Sequence, residues 1–264
     1  GSRNIAAIAG TGECCYAGDG GLALSARLDD PAGLAVDSSG NVYISDASSN
    51  AVRVLLPISS SAPALLSVVN GASNVSGPIA PGEIVVLYGS GLGPVQLNQS
   101  DSSGTTVLFN GRPGTILYSS ASQVSAVAPV SLTGSSVQIW VQYQNLATPV
   151  ITLPIVTVSP ALFTLDGSGK GQAAAINFDG SPNSASRPSG GIISLFATGV
   201  STSTQLQVIA GGKAATVLTQ DLVSSAVKIT VQLPSGVQGA AIPVSIQAGN
   251  TASPDGVTIA IGGN

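Results

Sequence analysis

The sequence predicts an all-β protein made of a β-rich N-terminal segment and two β-sandwiches in tandem. Three observations support this prediction: short runs of alternating apolar and polar residues, no sustained helical period, and an internal repeat. Gly at 33 and Pro at 16 of 264 positions supply the turns that many short strands require. We expect the N-terminal segment to span 1–57, the first sandwich 58–158 and the second sandwich 159–264.

Alternation is clearest in three stretches beyond residue 57. Apolar residues alternate with Gln138, Trp140 and the following glutamines in 137–144, and the same pattern occurs in 228–233 and 257–261. A period of two is typical of a strand with one buried face and one wetter face. These stretches are therefore predicted strands of the sandwiches.

The internal repeat sets the size of each sandwich. The stretch 82–88 (GEIVVLY) returns as 190–196 (GGIISLF), and 109–112 (FNGR) returns as 210–213 (AGGK). Both offsets are about a hundred residues, which is the size of one seven-stranded immunoglobulin-like sandwich. The repeat therefore predicts two tandem immunoglobulin-like domains.

Two segments of the sandwich region resemble known families. An apolar strand that ends in GSGLG (89–93), followed by a strand and the turn NGRP (110–113), resembles the IPT/TIG branch of immunoglobulin-like domains. Further on, PALFT, GQAAAIN and DGSPNS look like the uncharacterised C-terminal immunoglobulin-like domain of secreted acidobacterial proteins. This resemblance covers about 65–262. It implies export and an all-β fold, and it carries no known catalytic residue.

The N-terminal segment resembles one blade of an NHL β-propeller. The matching stretches are IAGTG (8–12), GDGG (18–21), PAGLAVD (31–37), GNVYISD (40–46) and NAVRV (50–54). The family usually has small or polar residues where this chain has Cys14-Cys15-Tyr16. One blade of about 50 residues buries too little apolar surface to be stable alone. It is then the last blade of a longer protein, packs on the first sandwich, or is completed by another copy of the chain.

Composition excludes several classes of function. Only 8 Lys and Arg and a net charge of −4 leave no basic patch for nucleic acid. The absence of His removes the Ser-His-Asp triad and most zinc sites. No apolar run reaches about 18 residues, so we expect no membrane span. The absence of Met predicts a processed chain, and together with the low charge it favours a secreted or cell-surface protein.

No catalytic or metal site is predicted. The acidic residues beyond residue 57 stand singly in or beside predicted turns or strand starts, so no pair is brought together for glycoside hydrolysis. Lys213 repeats the position of Arg112 at a hairpin, which indicates a structural role. Asp37 with Gly40 and Asn41 is typical of a turn rather than of a calcium site. We therefore expect no enzyme activity, no metal and no cofactor.

Cys14 and Cys15 are the candidate disulfide residues. Adjacent Cα atoms lie about 3.8 Å apart, below the usual range for a disulfide, so a bridge between neighbours is strained. The alternatives are such a bridge, a covalent link between subunits, or two reduced thiols in a loop. Since oxidising compartments seldom leave thiols free, we expect some form of disulfide in an exported protein.

Trp140, Gln142 and Tyr143 form a candidate ligand face. Aromatic rings stack on sugar rings, and amide side chains bond sugar hydroxyls. The alternative is a tryptophan that packs beneath a loop or between domains. Polysaccharide is therefore one predicted partner.

The function that these observations favour is that of a non-catalytic extracellular structural protein. Head-to-tail self-assembly into a fibre or surface layer follows if the N-terminal segment is completed by a neighbouring copy, because a heterologous contact that does not close generates a filament. With 8% charged residues, copies repel one another weakly. The alternatives are a cell-surface adhesion module that recognises polysaccharide or protein, and the stalk of a larger propeller protein.

Overall fold

A computed structural model describes residues 7–19, 23–38, 40–55, 62–99 and 103–263. Strands dominate these residues, no α-helix occurs among them, and a short 3-10 turn spans Ala23–Ser25. The predicted all-β fold class is confirmed. The chain divides into two compact units, Gly1–Ser60 and Ser61–Asn264.

The N-terminal unit contains a three-stranded antiparallel sheet. Its strands are β1 (Pro31–Val36), β2 (Val42–Asp46) and β3 (Ala51–Leu55), in the order β1–β2–β3. In the β1–β2 turn, the Asp37 carboxylate accepts hydrogen bonds from the backbone N–H of Asn41 (2.9 Å) and from its side-chain amide (2.8 Å). The Asp37 carboxylate thus closes the turn that the sequence motif predicts.

The second unit begins with a sandwich of two antiparallel sheets. One sheet contains β4 (Ala64–Asn70), β5 (Ile84–Ser90), β8 (Thr115–Ser119) and β9 (Gln123–Val127), in the order β4–β5–β9–β8. The other contains β6 (Thr106–Phe109), β7 (Arg112–Pro113), β10 (Ser136–Tyr143), β11 (Leu146–Ala147) and β12 (Ile151–Pro154), with β10 between β6 and the strands β11 and β12. Leu87, Phe109 and Ile139 are fully buried between the sheets.

The second sandwich follows in the same unit. Its strands are β13 (Ala161–Leu162), β14 (Gly171–Gln172), β15 (Ala175–Asn177), β16 (Ile192–Thr198), β17 (Leu206–Ala210), β18 (Lys213–Val223), β19 (Ala226–Gln232), β20 (Gly239–Ala248), β21 (Thr251–Ala252) and β22 (Val257–Ile261). These ten strands are hydrogen-bonded into one continuous sheet in the order β13–β16–β19–β18–β17–β20–β22–β14, with β15 paired to β16 and β21 paired to β20. Leu195, Ile229 and Ile246 lie at the centre of a separate apolar core. The domain boundaries near 57 and 158 stay predictions.

The two sandwiches use the same hairpin. Phe109 pairs with Arg112 to close the β6–β7 turn, and Ala210 pairs with Lys213 to close the β17–β18 turn. Both turns contain two consecutive residues with positive φ, as a two-residue hairpin of this hand requires. The sequence repeat therefore corresponds to a structural repeat at these turns.

A side-chain bond is also repeated. The backbone N–H of Val141 in β10 donates to Oγ1 of Thr148 at 3.0 Å, and the N–H of Ile246 in β20 donates to Oγ of Ser253 at 3.1 Å. Each hydroxyl lies just beyond the short hairpin that follows its strand. Each sandwich thus satisfies one buried strand amide with a hydroxyl instead of a backbone carbonyl.

Candidate functional site

One face of the N-terminal sheet carries exposed apolar side chains. The register places Ala35, Tyr43 and Val54 side by side across β1, β2 and β3, and Val52 lies one step along the same side of β3. All four are exposed, Val52 to 73%. We call these four residues the open face. Because burial of one valine side chain is worth about 1.5–3 kcal/mol, the open face favours a partner that covers it.

Among the described residues, the two outer strands of this sheet each pair with a strand on one side only. In the described part of the chain, β1 and β3 are the outer strands, and every residue of β1 is exposed, including Leu34 at 73%. Edge strands offer unpaired N–H and C=O groups to another strand unless charged residues block them. β1 contains no charged residue, and Arg53, the single charge in β3, is buried. The strands β1 and β3 therefore have no exposed charged side chain that would oppose the addition of another strand.

On the opposite face of the sheet, Arg53 binds the segment that precedes the sheet. Its side chain is 8% exposed, donates to Oδ1 of Asp19 at 2.6 Å and 2.9 Å, and lies 3.5 Å from the fully buried carboxylate of Asp46. It also donates to the carbonyl of Ala17, and its guanidinium lies 4.9 Å from the ring centre of Tyr16. Arg53 thus ties the segment that precedes the sheet onto β2 and β3.

The two cysteines lie together and are accessible. Their Sγ atoms are 2.7 Å apart, both residues are exposed, and neither forms a disulfide. Cys15 has a φ of 82°, a conformation that residues with a side chain rarely adopt. The hydrogen bond with Cys14 raises the pKa of the Cys15 thiol. The geometry thus brings the two thiols to each other and leaves both open to solvent, and the disulfide stays a prediction.

The candidate ligand face is divided between the two sides of its sheet. Trp140 is half-buried on the outer side of β10, between the exposed side chains of Gln138 and Gln142. It pairs with Leu108 of β6 and is not part of the sandwich core. Tyr143, three residues further along the strand, has the opposite side-chain parity. The structure therefore places Trp140 and Gln142 on one side and Tyr143 on the other.

The remaining carboxylates are used in turns or stand alone. Hydrogen bonds from Ser168 lower the pKa of Asp166, and hydrogen bonds from Ser181 lower the pKa of Asp179. No group of three His, Cys, Asp or Glu side chains in the described residues is arranged to hold a metal. A groove of about 790 Å³ on the second sandwich is lined by apolar and amide or hydroxyl side chains, without a carboxylate. Asp166 and Asp179 therefore serve as turn residues.

The most unusual titratable group is one that sequence reasoning passed over. Glu83 is fully buried immediately before β5. Its carboxylate accepts hydrogen bonds from the backbone N–H of Ala80 at 2.7 Å and from the side-chain amide of Asn70 at 2.8 Å. The sequence feature that could have pointed to Glu83 is a single acidic residue directly before the apolar run of β5. The sequence does not show, however, that a second domain covers this residue.

Comparison with known families agrees with two of the resemblances. A model of the IPT/TIG domain matches residues 67–155, and a model of the NHL repeat matches residues 28–55. The resemblance to the acidobacterial C-terminal domain stays a prediction. No curated protein matches the sequence. No helix among the described residues is long and apolar enough to cross a membrane.

Several solved structures share low similarity with the chain. One is SGBP-B of the mixed-linkage glucan utilization locus of Bacteroides ovatus, with a TM-score of 0.38 and 13% identity over 83% of this chain and 54% of that one. A second is the γ-CGTase of alkalophilic Bacillus clarkii, with a TM-score of 0.29 and 16% identity over 89% and 30%. A third is the extracellular region of plexin A4, with a TM-score of 0.28 and 12% identity over 80% and 17%. This chain spans less than two thirds of each of these proteins, and the ligands and activities in their names belong to them.

Proposed function

We propose that this chain is a non-catalytic extracellular structural protein that assembles head to tail with other copies of itself. The open face of the N-terminal sheet carries the proposal. A three-stranded sheet that leaves Val52, Val54 and Tyr43 exposed, with its outer strands paired on one side only among the described residues, resembles part of a larger sheet assembly. A second copy supplies the missing cover by burying the open face and by adding a strand at β1 or β3.

The electrostatics of the chain suit such an assembly. Charged residues make up 8% of the sequence and the net charge is −4, so that copies approach with little repulsion. Main-chain bonds at a strand edge supply affinity, and the alternating side chains of the edge supply specificity. If the accepting surface of the neighbouring copy lies outside its own N-terminal unit, the contact is heterologous and its repetition gives a fibre or a sheet.

Sedimentation velocity and negative-stain electron microscopy of the full chain over a wide concentration range test this proposal. We expect polymers for the natural sequence and a shift to monomers for Val52→Lys, which places a charge on the open face. The matched control is Val130→Lys, at another largely exposed valine, in the first sandwich. A natural chain that stays monomeric at every concentration contradicts self-assembly, and polymers that persist in Val52→Lys exclude the open face as the contact.

The position of Trp140 favours a second candidate function, the binding of polysaccharide. Its indole lies partly exposed on the outer side of the sheet, flanked by the amides of Gln138 and Gln142. This arrangement offers a stacking surface with hydrogen-bonding groups on either side. It gives the first sandwich a strip suited to one or two sugar rings.

Affinity electrophoresis against xylan, laminarin and mixed-linkage β-glucan tests the second candidate. We expect retardation of the natural chain by at least one of them and loss of retardation in Trp140→Ala. Tyr143→Ala serves as the control, because Tyr143 lies on the other side of β10 and its loss is expected to leave binding intact. Equal retardation of natural chain and Trp140→Ala excludes the strip as the binding surface.

A further inference from the structure

The junction between the two sandwiches is built around a buried carboxyl group. Glu83 has no solvent-exposed area and belongs to the first sandwich. Besides its bonds from Ala80 and Asn70, it has a hydrogen bond with the side chain of Ser159, in the segment that leads into β13 of the second sandwich. Asn70 also donates to the Ser159 carbonyl at 3.1 Å. The carboxyl therefore lies where the two domains meet.

Further contacts close the junction around this group. The N–H of Ile84 donates to Oγ1 of Thr198 at 2.7 Å. Ser159 is itself held within the second sandwich, because its N–H donates to the Gly199 carbonyl at 2.7 Å. Gly169 of the second sandwich has a φ of 78°, and a Cβ there would lie 2.4 Å from the carbonyl oxygen of Ser73 in the first sandwich. The two sandwiches thus approach too closely for a side chain at this point.

No charged side chain among the described residues compensates the carboxyl. The groups that face it are the Asn70 amide from β4, the Ala80 backbone N–H from the preceding turn and the Ser159 hydroxyl from the second sandwich, all of them uncharged. Burial raises the pKa of Glu83 to about 7, although each of these hydrogen bonds lowers it. The carboxyl is therefore protonated in the closed junction under mildly acidic conditions and ionises near neutrality.

We propose that Glu83 is a proton-operated latch between the two sandwiches, which form one rigid body while its carboxyl is protonated and separate more readily once it ionises. A buried carboxylate without a counter-charge is relieved by hydration. Water reaches it when Ser159 and Thr198 move away with the second sandwich. The latch thus couples the stiffness of the two-sandwich body to the pH around it.

The direction of the effect follows from proton linkage. The closed junction binds the proton more tightly than an opened junction, in which Glu83 returns toward its ordinary value of 4.5. The closed state is therefore fully favoured at pH values below 4.5, loses stability as the pH rises through the window up to about 7, and changes no further above it. The ratio of closed to open junction falls about tenfold between pH 6 and pH 8 if opening hydrates the carboxyl completely.

Hydrogen exchange of the full chain, read at residue level, tests the latch. The probe is the Ile84 amide, whose partner Thr198 is in the other sandwich, and the reference is the Val141 amide, whose hydroxyl partner Thr148 is in the same sandwich. We expect the protection factor of Ile84 relative to Val141 to fall about tenfold from pH 6 to pH 8. Glu83→Gln, which keeps the side-chain shape without a titrating proton, is expected to abolish this fall.

Asp221→Asn, at an exposed acid of β18, is the control and is expected to behave as the natural chain does. A relative protection that is constant with pH, or a fall that persists in Glu83→Gln, overturns the proposal. If Glu83→Gln does not fold, the carbon-13 shift of the Glu83 carboxyl in the natural chain decides the question. A titration midpoint near 7 supports the latch, and a midpoint near 4.5 overturns it.

Discussion

The backbone N–H of Ile84 donates to Oγ1 of Thr198 at 2.7 Å, and this bond joins a strand of the first sandwich to a strand of the second. Both residues are buried, so the amide has no water to replace its partner. The Asn74 side chain likewise donates to the Gly167 carbonyl across the same junction. Directional bonds therefore hold the two domains in one orientation.

Thr198→Val tests how much that hydrogen bond contributes to the free energy of unfolding. Valine has nearly the same shape but cannot accept the Ile84 proton, so a buried N–H is left without a partner. We expect a loss of about 1–3 kcal/mol in the free energy of unfolding, measured with urea. Thr152→Val, at an exposed threonine of β12, is expected to change stability by less than about 0.5 kcal/mol. Equal stabilities of the two variants contradict the assigned role of Thr198.

Thr148→Val and Ser253→Ala test the repeated hydroxyl bond. Each substitution removes the acceptor of one buried strand amide, Val141 in the first sandwich and Ile246 in the second. We expect similar losses of about 1–3 kcal/mol, each seen in hydrogen exchange of its own sandwich. The exposed Thr251 supplies the control substitution Thr251→Val. A large loss in one sandwich and none in the other shows that the two bonds are not equivalent.

Arg53→Met tests the support of the N-terminal sheet. The substitution keeps an apolar stem but leaves the buried carboxylate of Asp46 without its cation. We expect the N-terminal unit to lose about 3–5 kcal/mol, seen as faster limited proteolysis before β1. Arg112→Met removes an exposed arginine and is expected to have little effect. Unchanged proteolysis in Arg53→Met argues against the support described here.

Acid sensitivity of the N-terminal unit is expected from Asp19. The hydrogen bond from Tyr16, and then those from Arg53, lower the pKa of this exposed carboxyl below its ordinary value of 3.8. The stability that it contributes is therefore present above pH 3.8 and is lost as the pH falls through the lower folded value. Tyrosine fluorescence in an acid titration reports the loss. In Asp19→Asn, the tyrosine fluorescence is expected to change less over that pH range. If the variant shows the same acid titration as the natural chain, protonation of Asp19 is not the cause of the acid sensitivity.

Cys14 and Cys15 are expected to pair with each other in an oxidising medium. Exchange with a small disulfide such as oxidised glutathione transfers two electrons from the thiols, forms one S–S bond and releases two thiols of the oxidant. Intact mass without reductant then shows the loss of two hydrogens, and a non-reducing gel shows a single chain. A ladder of linked chains that collapses on reduction identifies the cysteines as a joint between subunits instead.

Much of the fold was predictable because its signals are local. Alternation in 137–144 gave β10, and the paired turns at 110–111 and 211–212 gave hairpins whose positive φ the residues there accept. The motif around Asp37 gave the turn between β1 and β2. These features depend on neighbours in the chain, and sequence patterns record such neighbours directly.

The sites were less predictable because they depend on distant contacts. The role of Glu83 depends on Ser159, which is brought to it by the docking of a second domain. Alternation alone places Trp140 and Tyr143 on opposite sides of β10, yet sequence proximity had grouped them as one ligand face. The sequence predicts that a single blade leaves apolar surface uncovered, but it does not identify the residues concerned. The register of β1, β2 and β3 identifies them as the open face.

The close approach of Gly169 in the second sandwich to Ser73 in the first has a mechanical consequence. With no room for a side chain between them, the two sandwiches cannot roll past one another without breaking the hydrogen bonds of their junction. In a polymer of such chains, each pair of sandwiches behaves as one stiff link, and bending is left to the remaining contacts. The persistence length measured from micrographs then reports on those contacts, and it shortens at alkaline pH if the link itself softens.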